Sequence, residues 1–374
     1  MTIQEIAYSA QQHLQASFRS SGSSFKRSHI YELLSAAFGF NSHAAFSKEA
    51  VFRTRGQNDT PPALKSSLLH KRCIELGYPP AIASQLAPAL EAFVALRRLE
   101  VANIPKMIER LRGESHYSEG DEEDFAFIDE IDFDPLLLDG LTQAANKGHS
   151  GAHYLLALIH EPDSEGDSDS GSSYWYTQSQ RGRILTGVEE EWAEAYERRQ
   201  LEEATYKLHL QEAARLGHQD ALLDLADKFD DPAFFEQSLL GTQSDPMSIA
   251  EIAERMGRAA DALRWFTIAA EGGDINAMLL LIDRYDQGDL QRCWTWVYLS
   301  KLLDEDITKS QYHASHEDGS PYDDDVGGAL IVDGRAGIEL EPLDLEKDGL
   351  AQLAAQRLFN QITGRLSCSA ETDQ

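Results

Sequence analysis

The chain has 374 residues, with 63 Asp and Glu against 33 Lys and Arg, so its formal net charge is −30 at pH 7. A charge of this sign repels nucleic-acid phosphates and makes the whole chain a poor nonspecific DNA binder. The length allows two or three domains, and the longest apolar run, residues 277–282, is too short to cross a membrane.

The start of the chain and its cysteines predict the compartment. The first residues lack a basic segment followed by an apolar run, so we expect no signal peptide. Cys73, Cys293 and Cys368 are widely separated and form neither a zinc spacing nor a disulfide framework. These features predict a cytoplasmic protein.

Residues 1–113 are basic, with 14 Lys and Arg against 8 Asp and Glu, and we expect them to form a small helical N-terminal domain. Gly39 is expected to end a first clear helix, and Asn41 or Ser42 to cap a second at His43–Phe52. The first of these helices is predicted by apolar residues at helical spacing: Ile30, Leu33, Leu34, Ala37 and Phe38.

Two further helices are predicted in the same region. One covers about Ala83 to Leu99 and contains Pro88, which is expected to bend or restart it. The other opens at Pro105 and runs to Arg112.

The corner in residues 28–55 loosely resembles a DNA-binding helix-turn-helix. Gly39 lies at the turn, and Lys48, Arg53 and Arg55 follow it. Nucleic acid is an unlikely partner for so acidic a chain, but a nucleic-acid-binding regulator is the alternative function that this corner leaves open.

Residues 114–134 form an acidic linker. The segment contains ten Asp and Glu and no Lys or Arg, together with Phe125, Phe127 and Phe133. It is predicted as a solvated spacer, with docking on a basic surface of the same chain as the alternative.

The pattern Ala-Ala-x-x-Gly followed by His or Asp occurs three times, and an alanine follows three residues later. The alanines allow close helix packing, and the glycine suits the left-handed residue just past a helix end. Each copy therefore predicts a tight turn between two helices, although the copies lie 69 and 56 residues apart. The alanine and glycine positions that define these corners are Ala145, Ala214, Ala270, Gly148, Gly217 and Gly273.

The third copy extends into a longer motif. Residues 262–277 read Ala-x-x-Trp-Phe-x-x-Ala-Ala-x-x-Gly-Asp-x-x-Ala, which resembles the Sel-like repeat family, a relative of the tetratricopeptide repeats. The resemblance covers about residues 135–304. It implies an α-solenoid of helical hairpins that binds proteins or peptides and has no catalytic residues.

Residues 161–173 resemble a flexible acidic Gly/Ser insertion within this region, and Glu189–Leu216 is predicted as one long helix or two. Residues 305–348 are expected to form an acidic loop with a possible short β-hairpin, from Ala329–Val332 and Ile338–Leu340. Residues 349–374 are expected to complete a capping helix that starts near Leu345, followed by a loose tail from Ser367.

No nucleotide loop, nucleophile elbow or zinc-binding motif occurs in the sequence, so we expect neither an enzyme nor a cofactor. Two histidine groups invite a metal-site interpretation: His149, His153 and His160, and the loop with His313, His316 and Asp323–Asp325. His149 and His153 are spaced so that they could bind a transition metal, but His149 occupies the recurring corner position, which a structural role explains. The second group matches no known metal-binding loop, and we predict no metal.

The sequence therefore predicts an all-α protein that works as an interaction scaffold. Its acidic solenoid is expected to bind a protein or peptide that carries Lys or Arg beside apolar anchors. The candidate contact residues are Trp265, Trp294, Trp296 and Trp175, whose spacing also fits burial in a core.

Overall fold

The computed structural model describes residues 2–19, 24–56, 60–113, 133–162, 172–237, 244–315 and 331–372. The described chain is mostly helical, with only small antiparallel strand pairs, which confirms the predicted class at that level. Contacts divide the chain into two compact units, Met1–Leu225 and Ala226–Gln374. None of the described helices is both long enough and apolar enough to span a membrane.

Unit 1 is built from helices and one two-stranded sheet. The strands β1 (Ala50–Thr54) and β2 (Leu99–Asn103) pair antiparallel. The helices are α1 (Ile3–Ser17), α2 (Arg27–Ala37), α3 (His43–Glu49), α4 (Ser66–Glu75), α5 (Pro80–Arg97), α6 (Ile104–Gly113), α7 (Pro135–Asn146), α8 (Ser150–Ile159), α9 (Ser172–Gln180), α10 (Val188–Arg215) and α11 (Gln219–Phe229), the last of which continues past Leu225.

The predicted start of unit 1 is largely correct. Helix α2 contains the predicted apolar stripe except Phe38, which is its C-cap, and Gly39 follows with φ of 97°. The Ser42 hydroxyl accepts a hydrogen bond from the Ala45 amide at 3.1 Å and caps α3. The predicted helix at 43–52 is wrong beyond Glu49. There the chain becomes β1, because Val51 and Phe52 pair with β2 and are buried in this extended form.

The helix predicted at about 83–99 begins earlier and ends earlier in the structure. Helix α5 begins at Pro80, contains Pro88 and ends at Arg97, where the left-handed Arg98 leads into β2. The predicted 189–216 segment forms the single helix α10, which has 28 residues. Helix α6 begins one residue before the predicted Pro105.

The predicted boundary between residues 113 and 135 does not separate two cores. Val51 of β1 packs in one apolar cluster with Leu137 and Leu141 of α7. Asp134 adds polar contacts across the same boundary, since its carboxylate accepts the Thr54 amide at 2.8 Å and caps α7. Residues 114–132 of the predicted linker lie outside the described residues, as do residues 163–171 of the predicted insertion.

The three predicted corners share one backbone geometry. The residue after each glycine donates its amide to the first alanine of the pair, as His218 does to Ala213 at 3.0 Å. The glycine amide donates to the second alanine, at Ala145, Ala214 and Ala270. The glycines have positive φ, as predicted: Gly148 (84°), Gly217 (89°) and Gly273 (104°).

Two of these corners also start the next helix with a side-chain cap. The His149 Nδ1 atom accepts the Ala152 amide at 3.0 Å, and the Asp274 carboxylate accepts the Ala277 amide at 2.8 Å. The equivalent nitrogen of His218 is buried without a hydrogen-bond partner.

A further corner of the same kind was missed in the sequence. Gly257 has φ of 71°, and the Arg258 amide donates to the Ala253 carbonyl at 2.8 Å. Three positions differ from the pattern and hid this corner: Glu254 replaces the second alanine, Arg258 the His or Asp, and Asp261 the final alanine. It divides the interval between Gly217 and Gly273 into 40 and 16 residues.

Unit 2 is again helical, and its successive helices pack against one another from α13 onward. Its elements after α11 are α12 (Ala233–Glu236), α13 (Pro246–Arg255), α14 (Ala259–Glu271), α15 (Ile275–Leu280), which continues as a π-helical segment Leu281–Tyr285, α16 (Leu290–Leu302), β3 (Gln311–Ser315), β4 (Ile331–Arg335) and α17 (Leu345–Thr372).

The C-terminal predictions need correction. Ile331–Arg335 is a strand, but it pairs with Gln311–Ser315 and not with the predicted Ile338–Leu340. Helix α17 starts at Leu345 as predicted and packs along α16, but it extends to Thr372 through most of the predicted tail.

Candidate functional site

Helices α9 and α10 of unit 1 form a hairpin whose side chains are mostly not buried. Gly182, with φ of 84°, ends α9, and the Arg183 amide donates to the Gln178 carbonyl at 3.1 Å. Helix α9 buries none of its side chains, whereas α10 buries only Ala193, Tyr206, Leu210 and Ala213. Three of these four buried residues lie in the C-terminal half of α10, and the N-terminal half is largely exposed.

Three large apolar side chains follow one another at this exposed end, four residues apart. Ile184 is 90% exposed, Val188 55% and Trp192 47%. Residues four apart lie on the same side of a helix, so Val188 and Trp192 share a face that Ile184 precedes in the loop. We call these three residues the hairpin patch.

The hairpin patch lies in an acidic stretch. Residues 184–197 contain five Glu and no Lys or Arg. Three of them, Glu189 to Glu191, occupy the first turn of α10, where negative charge also stabilises the helix dipole. The Arg183 guanidinium lies 3.6 Å from Glu189, at the edge of the stretch. Exposed apolar side chains surrounded by carboxylates favour a partner that combines apolar and basic groups.

The predicted contact tryptophans are distributed over both units. Trp175 belongs to the same hairpin and is half-buried, with the Arg183 guanidinium 4.8 Å from its ring centre. Trp265 is only 6% exposed and Trp296 only 2%, so both belong to the core of unit 2. Trp294 is half-buried and donates its indole N–H to the Glu341 carbonyl at 2.8 Å.

Two of these four candidates are therefore unsuited to contact a partner, because a buried ring offers it no surface. The prediction of tryptophan anchors now rests on Trp175 and Trp294. Sequence reasoning missed Trp192, although its spacing from Ile184 and Val188 was visible. The sequence does not show which neighbouring residues are buried, and that burial distinguishes a stripe in the core from an exposed one.

The alternative DNA-reading corner contributes few free charges. Helix α3 has seven residues, and the Arg53 guanidinium lies 2.9 Å from Glu100 across the strand pair. Arg55 is buried, and only Lys48 of the three predicted basic residues is exposed. Nucleic-acid binding at this corner stays a prediction.

The histidines form contacts with one another and with the backbone. The Nδ1 atoms of His153 and His209 lie 3.0 Å apart, while His149 caps α8. Burial is the largest cause that lowers the pKa of both His153 and His209. Among described residues, no three His, Cys, Asp or Glu side chains are grouped to hold a metal ion. The His313 side chain and residues 316–330 lie outside the described part.

A buried polar cluster links α6, α8 and α11 within unit 1. The Tyr154 hydroxyl donates to the Asp224 carboxylate at 2.6 Å, and the His218 ring stacks on Tyr154 at 4.3 Å. The Arg112 guanidinium lies 2.6 Å from Asp220 and 5.9 Å from the centre of the Tyr154 ring.

Burial is the main cause of the pKa shifts of Asp224 and Tyr154 in this cluster. Burial raises the pKa of Asp224 to about 6, against the opposing effects of the Tyr154 hydroxyl and the Arg112 charge. The pKa of Tyr154 is also raised, first by burial and then by Asp224. The cluster thus joins three helices through polar contacts, and its groups are largely withdrawn from solvent.

Comparisons with known proteins add no relative to this description. No protein family, curated protein or solved structure matches the chain.

Proposed function

We propose that the chain is a non-enzymatic interaction scaffold, built on Sel-like helical hairpins, that binds a protein segment carrying Lys or Arg beside apolar anchors. The hairpin patch carries this proposal, since Ile184, Val188 and Trp192 remain exposed within a stretch of five Glu. A stripe of large apolar residues costs solvation free energy in water, and a partner that covers it recovers that energy.

The helical corners support the architectural part of the proposal. Four corners share one hydrogen-bonding pattern, which also ends the helices before Gly39, Gly77 and Gly182. The helices that three of these corners join pack on one another: α7 on α8, α13 on α14 and α14 on α15. Short hairpins of this kind stack into solenoids in repeat families, whose surfaces bind other proteins. The solenoid form, the Sel-like type and a cytoplasmic setting belong to the proposal.

The chemistry of the patch defines the partner. We expect Trp192 to be the anchor, because aromatic side chains in contact centres contribute most of the binding energy in many interfaces. The glutamates then increase the rate of encounter with a basic segment and reject acidic ones. Salt is expected to slow association more than it speeds dissociation.

The test is quantitative affinity capture from cells that express the chain, with matched baits. Trp192→Ala is expected to weaken the affinity for the captured partner about 30-fold, which corresponds to a loss of about 2 kcal/mol of binding free energy at an anchor. Leu201→Ala removes another exposed apolar side chain from the same helix, where Leu201 is 69% exposed, and is expected to leave capture unchanged.

The identified partner then provides a second criterion. Its contact segment, mapped by cross-linking, is expected to contain Lys or Arg within the apolar sequence. A partner that Trp192→Ala and Leu201→Ala affect equally, or one whose contact segment is acidic, would refute the assignment to the hairpin patch.

A further inference from the structure

A pocket of about 530 Å³ opens within unit 1, in the size range of small-molecule sites. Its walls come from the start of α1, from α2, α3, β1 and α7, and from the corner that follows α7. Its polar lining includes Tyr31, His43, Ser47, Lys48, Gln143 and Lys147. Apolar wall surface is added by Phe46 and Val51.

Direct contacts join the elements that form the walls. The His149 Nδ1 atom accepts the Ala152 amide, which leaves its Nε2–H to donate to the Lys48 carbonyl at 2.6 Å. This bond ties the end of α3 to the corner. Helix α7 packs closely on β1, since a Cβ added at Gly140 would lie 3.0 Å from Val51 Cβ.

The lysines that line the pocket give it positive charge. Although the chain has nearly twice as many acidic as basic residues, none of the described residues that line the pocket is Asp or Glu. Lys48 and Lys147 are exposed, and neither forms an ion pair within the described part of the chain. Two unpaired ammonium groups at one pocket create a positive local field that attracts an anion.

Two carboxylates beside the pocket, which accept hydrogen bonds from residues of its wall, are engaged by other groups. Asp139 accepts the Ile3 amide at 2.8 Å and the Gln143 side-chain amide at 2.9 Å. Glu32 pairs with the Arg72 guanidinium at 2.5 Å. These bonds hold the two acids to their own partners, so the lysines stay available to a ligand.

His43 supplies a hydrogen-bond acceptor. The Ser35 hydroxyl donates to the Tyr31 carbonyl at 2.8 Å, so its oxygen accepts from Nδ1–H of His43 at 3.3 Å. Burial, followed by the charge of Lys147, lowers the pKa of His43, while Glu32 acts in the opposite direction. The neutral ring therefore keeps a lone pair on Nε2, which can accept a hydrogen bond from a ligand N–H or O–H.

We propose that this pocket binds a small organic anion, a carboxylate or a phosphate ester carried on an apolar or aromatic body. Lys48 and Lys147 hold the anionic group, and the apolar body lies against Phe46, Val51 and the Tyr31 ring. The site is separate from the hairpin patch and does not depend on the function proposed for it.

The test uses the full chain and four probes in calorimetric or ligand-detected NMR titrations. Benzoate and phenyl phosphate are the anionic probes, inorganic phosphate lacks the apolar body, and benzamide lacks the charge. We expect benzoate or phenyl phosphate to bind with Kd of about 1 mM or below, and benzamide and inorganic phosphate at least about tenfold more weakly. The stronger of the two anions identifies the preferred anionic group.

Variants locate the binding. Replacing both lysines, Lys48→Gln with Lys147→Gln, is expected to weaken the preferred anion at least about tenfold. Lys106→Gln removes an exposed lysine from α6, outside the pocket, and is expected to leave Kd unchanged. The proposal is overturned if neither organic anion saturates, if benzamide binds as tightly, or if Lys106→Gln weakens binding as much as the double variant.

Discussion

Replacing Asp224 by Asn tests the buried polar cluster of unit 1 most directly. Burial raises the pKa of this carboxyl from its ordinary 3.8 to about 6, so the folded chain binds its proton more tightly than the unfolded chain. The stabilisation from that proton is fully present below about pH 4 and is lost as pH rises through about 6. Asn has a similar shape and accepts the Tyr154 hydroxyl, but it does not titrate.

The expected size follows from the shift. Two pKa units correspond to about 3 kcal/mol of unfolding free energy, and roughly half of this change falls between pH 5 and 7. Asp224→Asn is therefore expected to gain about 1.5 kcal/mol relative to the native chain over that interval. Tyr154→Phe removes the donor at 2.6 Å and acts in the opposite direction. It is expected to cost about 1–3 kcal/mol at pH 7, and less at pH 5.

The assay is urea unfolding at a series of pH values from 5 to 7.5, followed by hydrogen exchange in α8. That helix contains Tyr154, so its amides report on unit 1 around the cluster. The quantity compared is the difference between variant and native chain, because the other titrating groups cancel in it.

Parallel free-energy curves for Asp224→Asn and the native chain would refute the reasoning, since a raised folded-state pKa requires them to diverge. The double variant with Tyr154→Phe provides the control. It has no carboxyl at 224, and its difference from Asp224→Asn alone is expected to be independent of pH.

Two further predictions concern backbone geometry and capping. At Gly217, φ is 89° and an added Cβ would meet nothing within 4 Å. Gly217→Ala is therefore expected to lower the unfolding free energy by about 1–2 kcal/mol through backbone strain alone, and Gly217→Asn by less. Equal losses for the two variants in urea unfolding would contradict a left-handed cap. Asp134→Ala removes the acceptor for the Thr54 amide and hydroxyl and for the Leu136 amide. This variant is expected to lower the unfolding free energy by about 2–4 kcal/mol. A loss of under about 1 kcal/mol in urea unfolding would mean that Asp134 only caps a helix.

Local features were predictable from the sequence because their causes lie within a few residues. The left-handed glycines at 148, 217 and 273 follow from the chain immediately before them, and Ser42 caps the helix that it adjoins. The start of α17 was likewise predicted at Leu345. In each case the deciding hydrogen bond or steric limit belongs to the segment itself.

Distant pairings were not predictable in the same way. Ala50–Thr54 is a strand because Leu99–Asn103 lies beside it, and the helical spacing of the preceding residues concealed this. Asp134 was assigned to a spacer, yet it binds Thr54, 80 residues away in sequence. Trp192 and Trp265 both follow helical patterns. Only the neighbouring elements decide that Trp265 is buried and Trp192 is about half exposed.

The shared corner has a consequence for how such a chain can lengthen during evolution. The two backbone hydrogen bonds that define it fall within six residues, so the turn itself requires nothing from the chain beyond the helices it joins. Sequence gained between two corners leaves both intact, and each doubling of an inserted flexible length costs only about 0.6 kcal/mol. The α9–α10 hairpin occupies such an interval, between Gly148 and Gly217. Its exposed surface is therefore free to diversify with a new partner while the corners on either side are kept.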